Sequence, residues 1–425
     1  MGRFVMPEMN LPEHWKEIKL SNQNLFSFES GIWKGKKEPF EECAVVRNTN
    51  FTSDGYLDLK DVAVLPIEQR HLTKKSLKWG DIIIERSGGG PEQPVGRVVF
   101  FDLNDETYCF SNFTSRLRVI DKSTICPTYL FFYLLHFHAS GQTRKLQKRT
   151  TGIRNLIFGD YKESRIPLPP LPEQRSIVHV LQTIQEAKFT RQREIALERE
   201  RKAALMDYLF SHGTKDERRK QTEIGEIPEN WEIVQLKEIA NLRRENVKPK
   251  DNQNLNFVGL EHIDSGESTL KRWGDASAMK SAKNRFYPDD VLYGKLRSYL
   301  DKAVIAEMEG ICSTDILVFT ANSKIVPRFL VYLLHTEAFV NHAVATSTGI
   351  SHPRTSWDSL GKFTFALPSL SEQRAIAAVF QAIDEKTAAL EQEVEHLDEL
   401  FRAMLDELMT GQRSAVPLID TEMDV

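Results

Sequence analysis

A seventeen-residue stretch that occurs twice limits what this 425-residue chain can fold into. The first copy, LPPLPEQRSIVHVLQTI, runs from Leu168 to Ile184, and the second, LPSLSEQRAIAAVFQAI, from Leu367 to Ile383. The offset is 199 residues, and ten of the seventeen positions are identical. This period is far longer than the repeat unit of a solenoid or propeller. It implies two copies of one unit, each a globular block that ends in a long helix.

The helix pattern is clearest in the second copy. Ile376, Phe380, Ile383, Leu390, Val394, Leu397, Phe401, Met404 and Leu408 alternate by fours and threes, interrupted only at Thr387. Apolar residues at a mean spacing of about 3.5 drive coiled-coil pairing. Ser369 and Glu372 have capping-box spacing at the start, and Gly411 follows the end, where a left-handed cap favours glycine. In the first copy Pro172 suits a first turn and Gly213 closes the run. Its seam is Ile177, Leu181, Ile184, Lys188, Arg191, Ile195, Glu198, Lys202, Leu205 and Leu209, apolar at the ends and charged in the middle. Such a helix fits a partner helix better than a single core, with long basic stems lying along the seam. The second helix is the expected partner, packed more loosely at the charged centre. At about 1.5 Å per residue each spans roughly 55 Å.

The duplication reaches the start of each block. LPEHWKEIKL from Leu11 matches IPENWEIVQLKEI from Ile227, aligning Pro12, Trp15 and Leu20 with Pro228, Trp231 and Leu236. Short β-prone runs follow: Ala44–Val46, Asp81–Glu85 and Val98–Phe101, then Asp290–Tyr293, Ala303–Ala306 and Ile316–Phe319 in the second block. RSGGGPEQPVG (Arg86 to Gly96) and GKLRSYLDK (from Gly294) are loops between strands at matched places. A proline-led helix begins at Pro127 in one block and at Pro327 in the other, and each precedes a Thr-Gly-Ile, at 151–153 and 348–350. The common order predicts a mixed α+β fold in both halves. The expected parts are a first block 1–165, a long helix 166–213, a second block 214–366, a second long helix 367–411 and a disordered acidic tail 412–425. SHGTKDERRKQTEIGE between the blocks reads as a linker.

Net charge is −4, but unevenly spread. Residues 1–165 carry 24 Lys and Arg against 20 Asp and Glu, whereas residues 367–425 carry 4 against 13. Neutral to basic blocks permit DNA binding through local patches. Cys43, Cys109, Cys126 and Cys312 are scattered without zinc spacing, which fits reduced thiols in a cytoplasmic protein. The N-terminus lacks a secretory pattern, and no apolar run is long enough to span a membrane.

Catalytic constellations are missing. Ser87-Gly88-Gly89-Gly90-Pro91 has neither phosphate-loop nor dinucleotide spacing, and no GxSxG, HExxH or Asn/Asp-Pro-Pro pattern occurs. D/E-x-K matches, among them Glu17, Asp58, Glu186 and Glu200, are what a charged chain produces by chance, and two of these lie on the first long helix. His136 and His335, at matched helix positions, read as structural. What remains are donors suited to DNA: Arg86, Ser87, Gly89, Gln93 and Arg97 at the glycine loop; Lys295, Arg297 and Lys302 at its counterpart; Arg154 and Asn155 after one Thr-Gly-Ile, Ser351 and His352 after the other; and Lys34, Lys36 and Lys37 beside Trp33. Arginine pairs bidentately with guanine, Asn or Gln with adenine, and lysine with phosphate. Each taken alone reads more readily as a solvated surface group; their recurrence at matched places favours DNA contact for the set.

The repeated LPxLxEQR segment with its long helix, the repeated PxxW opening and the GDIIIERSGGGPEQPVGRV segment together resemble the DNA-specificity subunits of type I restriction–modification systems, over nearly the whole chain. The resemblance implies two target recognition domains, one per half of a split double-stranded DNA site. It implies two long helices paired as an antiparallel coiled coil that separates the domains and sets the unread gap. It implies no catalysis in this chain: modification subunits, two of them, methylate adenine, and restriction subunits complete the complex. S-adenosylmethionine, ATP and Mg²⁺ then belong to the partners, with no cofactor or metal on this chain. Inter-helix packing is assigned to Ile177, Leu181, Ile184, Ile376, Phe380, Ile383, Leu390, Val394 and Leu397. A DNA-acting nuclease or methyltransferase, and a scaffold that never touches DNA, are the alternatives; cleavage or methylation assays and salt-titrated DNA binding separate them.

Overall fold

The computed structural model describes residues 11–419, apart from 33–37, 91–92, 105–106, 151–152, 216, 249–253 and 280. The chain packs into two compact units, residues 1–190 with 394–425 and residues 191–393. Each therefore contains one globular block, the start of one long helix and the end of the other.

In the first unit a four-stranded antiparallel sheet runs in the order Phe26–Ser30, Thr114–Val119, Asp81–Glu85, Val98–Phe101. Asp81–Glu85 is central and wholly buried, as its apolar run requires, with Ile82 between Leu117 and Phe100. A second sheet holds Ala63–Glu68, Phe40–Val46 and Tyr108–Phe110, the last two parallel. The almost fully buried helix Pro127–Ala139 fills the core, and Lys16–Lys19 pairs with Arg165–Leu168 just ahead of the long helix.

The second unit repeats this plan. Its main sheet is Ala240–Leu242, Ile316–Ala321, Val291–Gly294, Ala303–Ile305, and Glu232–Gln235 pairs with Thr364–Leu367. Its other sheet again contains a parallel pair, Asn256–Val258 with Gly310–Cys312. The α+β expectation thus holds in both halves. The second proline-led helix is broken in two, Pro327–Leu334 and Glu337–Ala345, because Thr336 turns extended and its hydroxyl accepts from Phe339 N.

The long helices are Leu171–His212 and Leu370–Met409. In the first unit Ile177 and Leu181 are fully buried in one core with Phe401, Leu405 and Leu408, and Ile184 packs against it. In the second unit Ile376, Phe380 and Ile383 share a core with Leu209, and Phe210 stacks on Phe380. Residues late on one helix meet residues early on the other in both units, so the pair is antiparallel. Leu390 is buried, while Val394 and Leu397 are half-buried.

The charged centre is not loose but matched charge for charge. In the first unit Lys188 bonds Asp398 at 2.7 Å and Asp54 at 3.2 Å. In the second, Arg191 meets Glu393 at 2.6 Å, Arg199 meets Glu391 at 2.7 Å, Lys202 meets Asp384 at 2.6 Å, and Glu198 accepts from Lys386 at 2.5 Å. The acidity of residues 367–425 is thereby partly explained: it faces the basic stems of the first helix. Burial works against the Lys188 charge, but its carboxylate partners outweigh that and raise its pKa. Tyr56, which donates to Gln185 at 2.6 Å, is raised by burial to about 12. Raised folded pKa values mean that both contributions are fully present below about pH 10 and are lost only as pH climbs through the folded values.

Two further expectations are corrected. The stretch read as a linker contains a hairpin, Arg219–Thr222 with Gly225–Pro228, tied down by Lys220 Nζ on the carbonyls of Glu229 and Trp231. The tail does not start as disorder: Ala415 is fully buried in the first core, and only residues 420–425 lie outside the described set.

Candidate DNA interface

The repeated motif makes a clasp in each unit. The buried carboxylate of Glu173 accepts from Trp15 Nε1 at 3.0 Å and bonds His14 at 2.9 Å. Glu372 likewise accepts from Trp231 Nε1 at 3.1 Å and from Thr214 N at 3.0 Å. Gln174 and Gln373, fully buried, each donate to two carbonyls and accept from the N–H ahead of the proline-led helix. The PxxW opening and the EQR triplet are thus two halves of one contact. Gly213 (φ 75°) and Gly411 (φ 71°) end the helices against these clasps: a Cβ on Gly213 would lie 2.4 Å from Glu372 Oε1, and one on Gly411 2.4 Å from Pro12 Cδ.

On this frame the candidate DNA residues of the first block converge. Ser87–Gly89 is a strand, not a free loop, and pairs antiparallel with Ile153–Leu156, which pairs in turn with Gln147–Thr150. Ser87 and Gly89 therefore lie beside Asn155 and Arg154. Residues 142–156 hold five Lys and Arg and no Asp or Glu, a signal the sequence offered and the reading above passed over. Lys148 is exposed and Arg154 half-exposed on this hairpin, and Arg144 is exposed just before it. Gln93 is exposed too.

Two residues of the set are engaged within the fold. Arg97 grips Glu85 through two bonds, at 2.9 and 2.8 Å, and donates to the Asn48 carbonyl. Arg86 lies 4.5 Å over the Phe158 ring, and burial lowers its pKa. Arg97→Ala should lower stability by about 2 kcal/mol, since Glu85 is 1% exposed and, among the described residues, keeps Asn48 as its one side-chain donor. Thermal unfolding checks this; an unchanged midpoint would make the pair a surface ornament.

The second block brings its candidates together in the same way. Leu296 bridges to Arg354 and Arg354 to Thr348, so the segment holding Lys295 and Arg297 lies against the segment holding Ser351 and His352. Arg297 (φ 55°) and Asp301 (φ 47°) are left-handed, a strain tolerated where the surroundings impose it. The strained turn leaves Arg297 and Tyr299 exposed. Ser351, His352 and Arg354 are exposed as well, whereas Lys302 Nζ is committed to the Leu260 carbonyl at 2.6 Å. Lys34, Lys36 and Lys37 lie outside the described residues. His136 bonds Asp406 at 2.9 Å, and His335 bonds Asp301 and the Ala303 carbonyl, both at 2.8 Å, as structural histidines do.

Among the described residues no group of three His, Cys, Asp or Glu could hold a metal, and no helix is long and apolar enough to cross a membrane. What the arrangement offers is two braced, donor-bearing hairpin edges, one per unit.

The chain is similar to the putative type I restriction enzyme MjaX specificity subunit of Methanocaldococcus jannaschii, 24% identical over 95% of this chain and 94% of the relative. It is also similar to the type I restriction enzyme EcoDI specificity subunit of Escherichia coli, 25% identical over 72% of this chain and 74% of the relative. In fold it resembles the type I restriction-modification system S subunit from M. genitalium, at 15% identity and TM-score 0.55, over 95% of this chain and 98% of that one. A family model described as the type I restriction modification DNA specificity domain matches residues 13–199 and again 228–399. Matched twice and over most of its length, the chain belongs to the type I restriction modification DNA specificity family.

Proposed function

We propose that this chain is the DNA-reading, non-catalytic specificity subunit of a type I restriction–modification complex. The observation that carries the reading is the duplication. Each unit has a braced hairpin edge bearing arginine and lysine, and each contains the start of one long helix and the end of the other. Blocks 1–165 and 214–366 act as target recognition domains, each reading half of a split double-stranded site. In this reading Arg154, Asn155, Ser87 and Gln93 face DNA in the first half, with Lys148 and Arg144 on phosphate. Arg297, Lys295, Ser351 and His352 do so in the second, joined by Arg354. Arg86, Arg97 and Lys302 position the loops from behind. Two modification subunits dock on the assembly and bring S-adenosylmethionine; restriction subunits bring ATP and Mg²⁺. The complex works in the cytoplasm, where its DNA substrate is.

Methylation mapping tests this. A host expressing the chain with its modification subunit should gain adenine methylation in both halves of one split motif. Replacing residues 1–165 by the corresponding block of another family member should change one half only. A change in both halves, or methylation of an unsplit site, would sink the two-reader model. Inserting one heptad in the first long helix should alter the gap and leave both half-sites intact; an unchanged gap would remove the spacer role.

A further inference from the structure

Each Thr-Gly-Ile ends in an isoleucine that neither core uses. Ile350 is 102% exposed and Ile153 48% exposed. Keeping an aliphatic side chain of this size in water forgoes about 1.5–3 kcal/mol of burial. Single exposed apolar residues are common, but these two occupy the same place in both repeats, each at the edge bearing that unit's cations.

The backbone behind them is held. Thr348 and Arg354 exchange two N–H···O bonds of 2.9 Å, closing a tight loop around Gly349, whose φ of +102° disfavours a side chain. Arg354 also bridges to Leu296, and Arg297 N donates to the Pro353 carbonyl at 2.8 Å. In the first unit Ile153 pairs with Thr150, and the next residue, Arg154, pairs with Gly89. Exposed Arg297 and Arg354 accompany Ile350; exposed Lys148 and half-exposed Arg154 accompany Ile153. A β-branched side chain is stiff about χ1, so little freedom is lost on insertion. A stiff apolar point on a braced loop, with cations on the same edge, is the equipment by which proteins wedge open a base step.

We propose that Ile350, and Ile153 at the equivalent place, are wedges that enter a base-pair step of the half-site each unit reads. The proposal rests on the DNA-specificity reading above. A wedge specifies sequence through the ease of unstacking, which is greatest at pyrimidine–purine steps. It also lowers the cost of extruding a neighbouring base for modification.

The test uses the full chain assembled with its modification subunits on duplexes containing the mapped motif. 2-Aminopurine replaces one base at a time, omitting the adenine that becomes methylated. One step in the second half-site should brighten several-fold on binding. Ile350→Ala should return it to the duplex baseline, Ile350→Leu should retain it, and the first half-site should be unaffected. Ile350 is fully exposed, so the alanine variant folds. Motif-specific binding with no brightened position overturns the wedge and leaves the DNA-specificity reading standing. An Ile350→Ala affinity loss that vanishes when thymine is replaced by uracil overturns it in favour of a methyl contact. Absence of motif-specific binding overturns both.

Discussion

Gln373→Ala should destabilise the second unit by about 3–5 kcal/mol, through the hydrogen bonds its side chain makes within the fold. Gln373 is fully buried. Its Nε2 donates to the Pro368 carbonyl at 2.9 Å and the Lys324 carbonyl at 3.0 Å, and its Oε1 accepts from Val326 N at 2.8 Å. Alanine leaves two carbonyls and one N–H short of a partner, each worth about 1–3 kcal/mol when buried. Water reaching the vacated space returns part of that, which places the sum below the simple total. Hydrogen exchange should show lost protection in Val326–Leu334 and in the first turns of Leu370–Met409, with the first unit unchanged. Gln174→Ala should mirror this in the first unit, where the same side chain bonds Pro169, Thr124 and Cys126 at 2.8, 3.0 and 2.9 Å. A shift below about 1 kcal/mol in both variants would mean that the buried groups find other partners.

The motif was legible as a repeat but its work was not. Ser369 and Glu372 read as a capping box, and Ser369 Oγ does accept from Glu372 N at 3.4 Å. The carboxylate, however, turns away to Trp231. Local spacing announces a local partner; a tryptophan 141 residues upstream has no such signature, even though the tryptophans themselves had been aligned. Strands with continuous apolar runs, such as Asp81–Glu85, were readable because burial on both faces writes itself into composition. The hairpin Arg219–Thr222 with Gly225–Pro228 was not, because its first strand is wholly polar, Ile227 and Pro228 are the buried residues of the pair, and Lys220 ties it down. In the candidate DNA interface the two loops of each block were found, but not their meeting, which depends on long-range pairing such as Arg154 with Gly89. Arg97 misled because a basic residue beside a glycine loop looks free. Its acid, Glu85, ends the preceding strand, and the antiparallel return of Val98–Phe101 brings the two together.

The charged seam yields the other large effect. Asp384→Ala should cost about 3 kcal/mol, because it strands a largely buried cation. Asp384 accepts from Lys202 at 2.6 Å, Ser268 at 2.6 Å and Tyr332 at 2.9 Å, and Lys202 Nζ also lies 5.5 Å over the Tyr332 ring. Ser268 and Tyr332 are essentially buried, and Lys202 and Asp384 are 16% and 18% exposed. The network therefore ties both long helices to the block they support. Burial drives the Tyr332 hydroxyl pKa up, so it stays a proton donor throughout the neutral range. The first unit meets the same requirement without this ion pair. At the repeat offset of 199, Lys202 corresponds to Phe401 and Asp384 to Gln185. There Phe401 packs on Phe132 with ring centroids 6.1 Å apart, and Gln185 accepts from Tyr56. An uncharged solution is thus compatible with the fold, as expected where desolvation offsets Coulomb attraction. Combining Lys202→Met, Asp384→Leu, Tyr332→Phe and Ser268→Ala should restore stability to within about 2 kcal/mol of the parent, against the larger loss from Asp384→Ala alone. Hydrogen exchange along residues 195–212 and 370–390 reads both. If the fourfold variant is the less stable one, the network contributes net attraction, and the seam's centre is held by charge rather than only tolerating it.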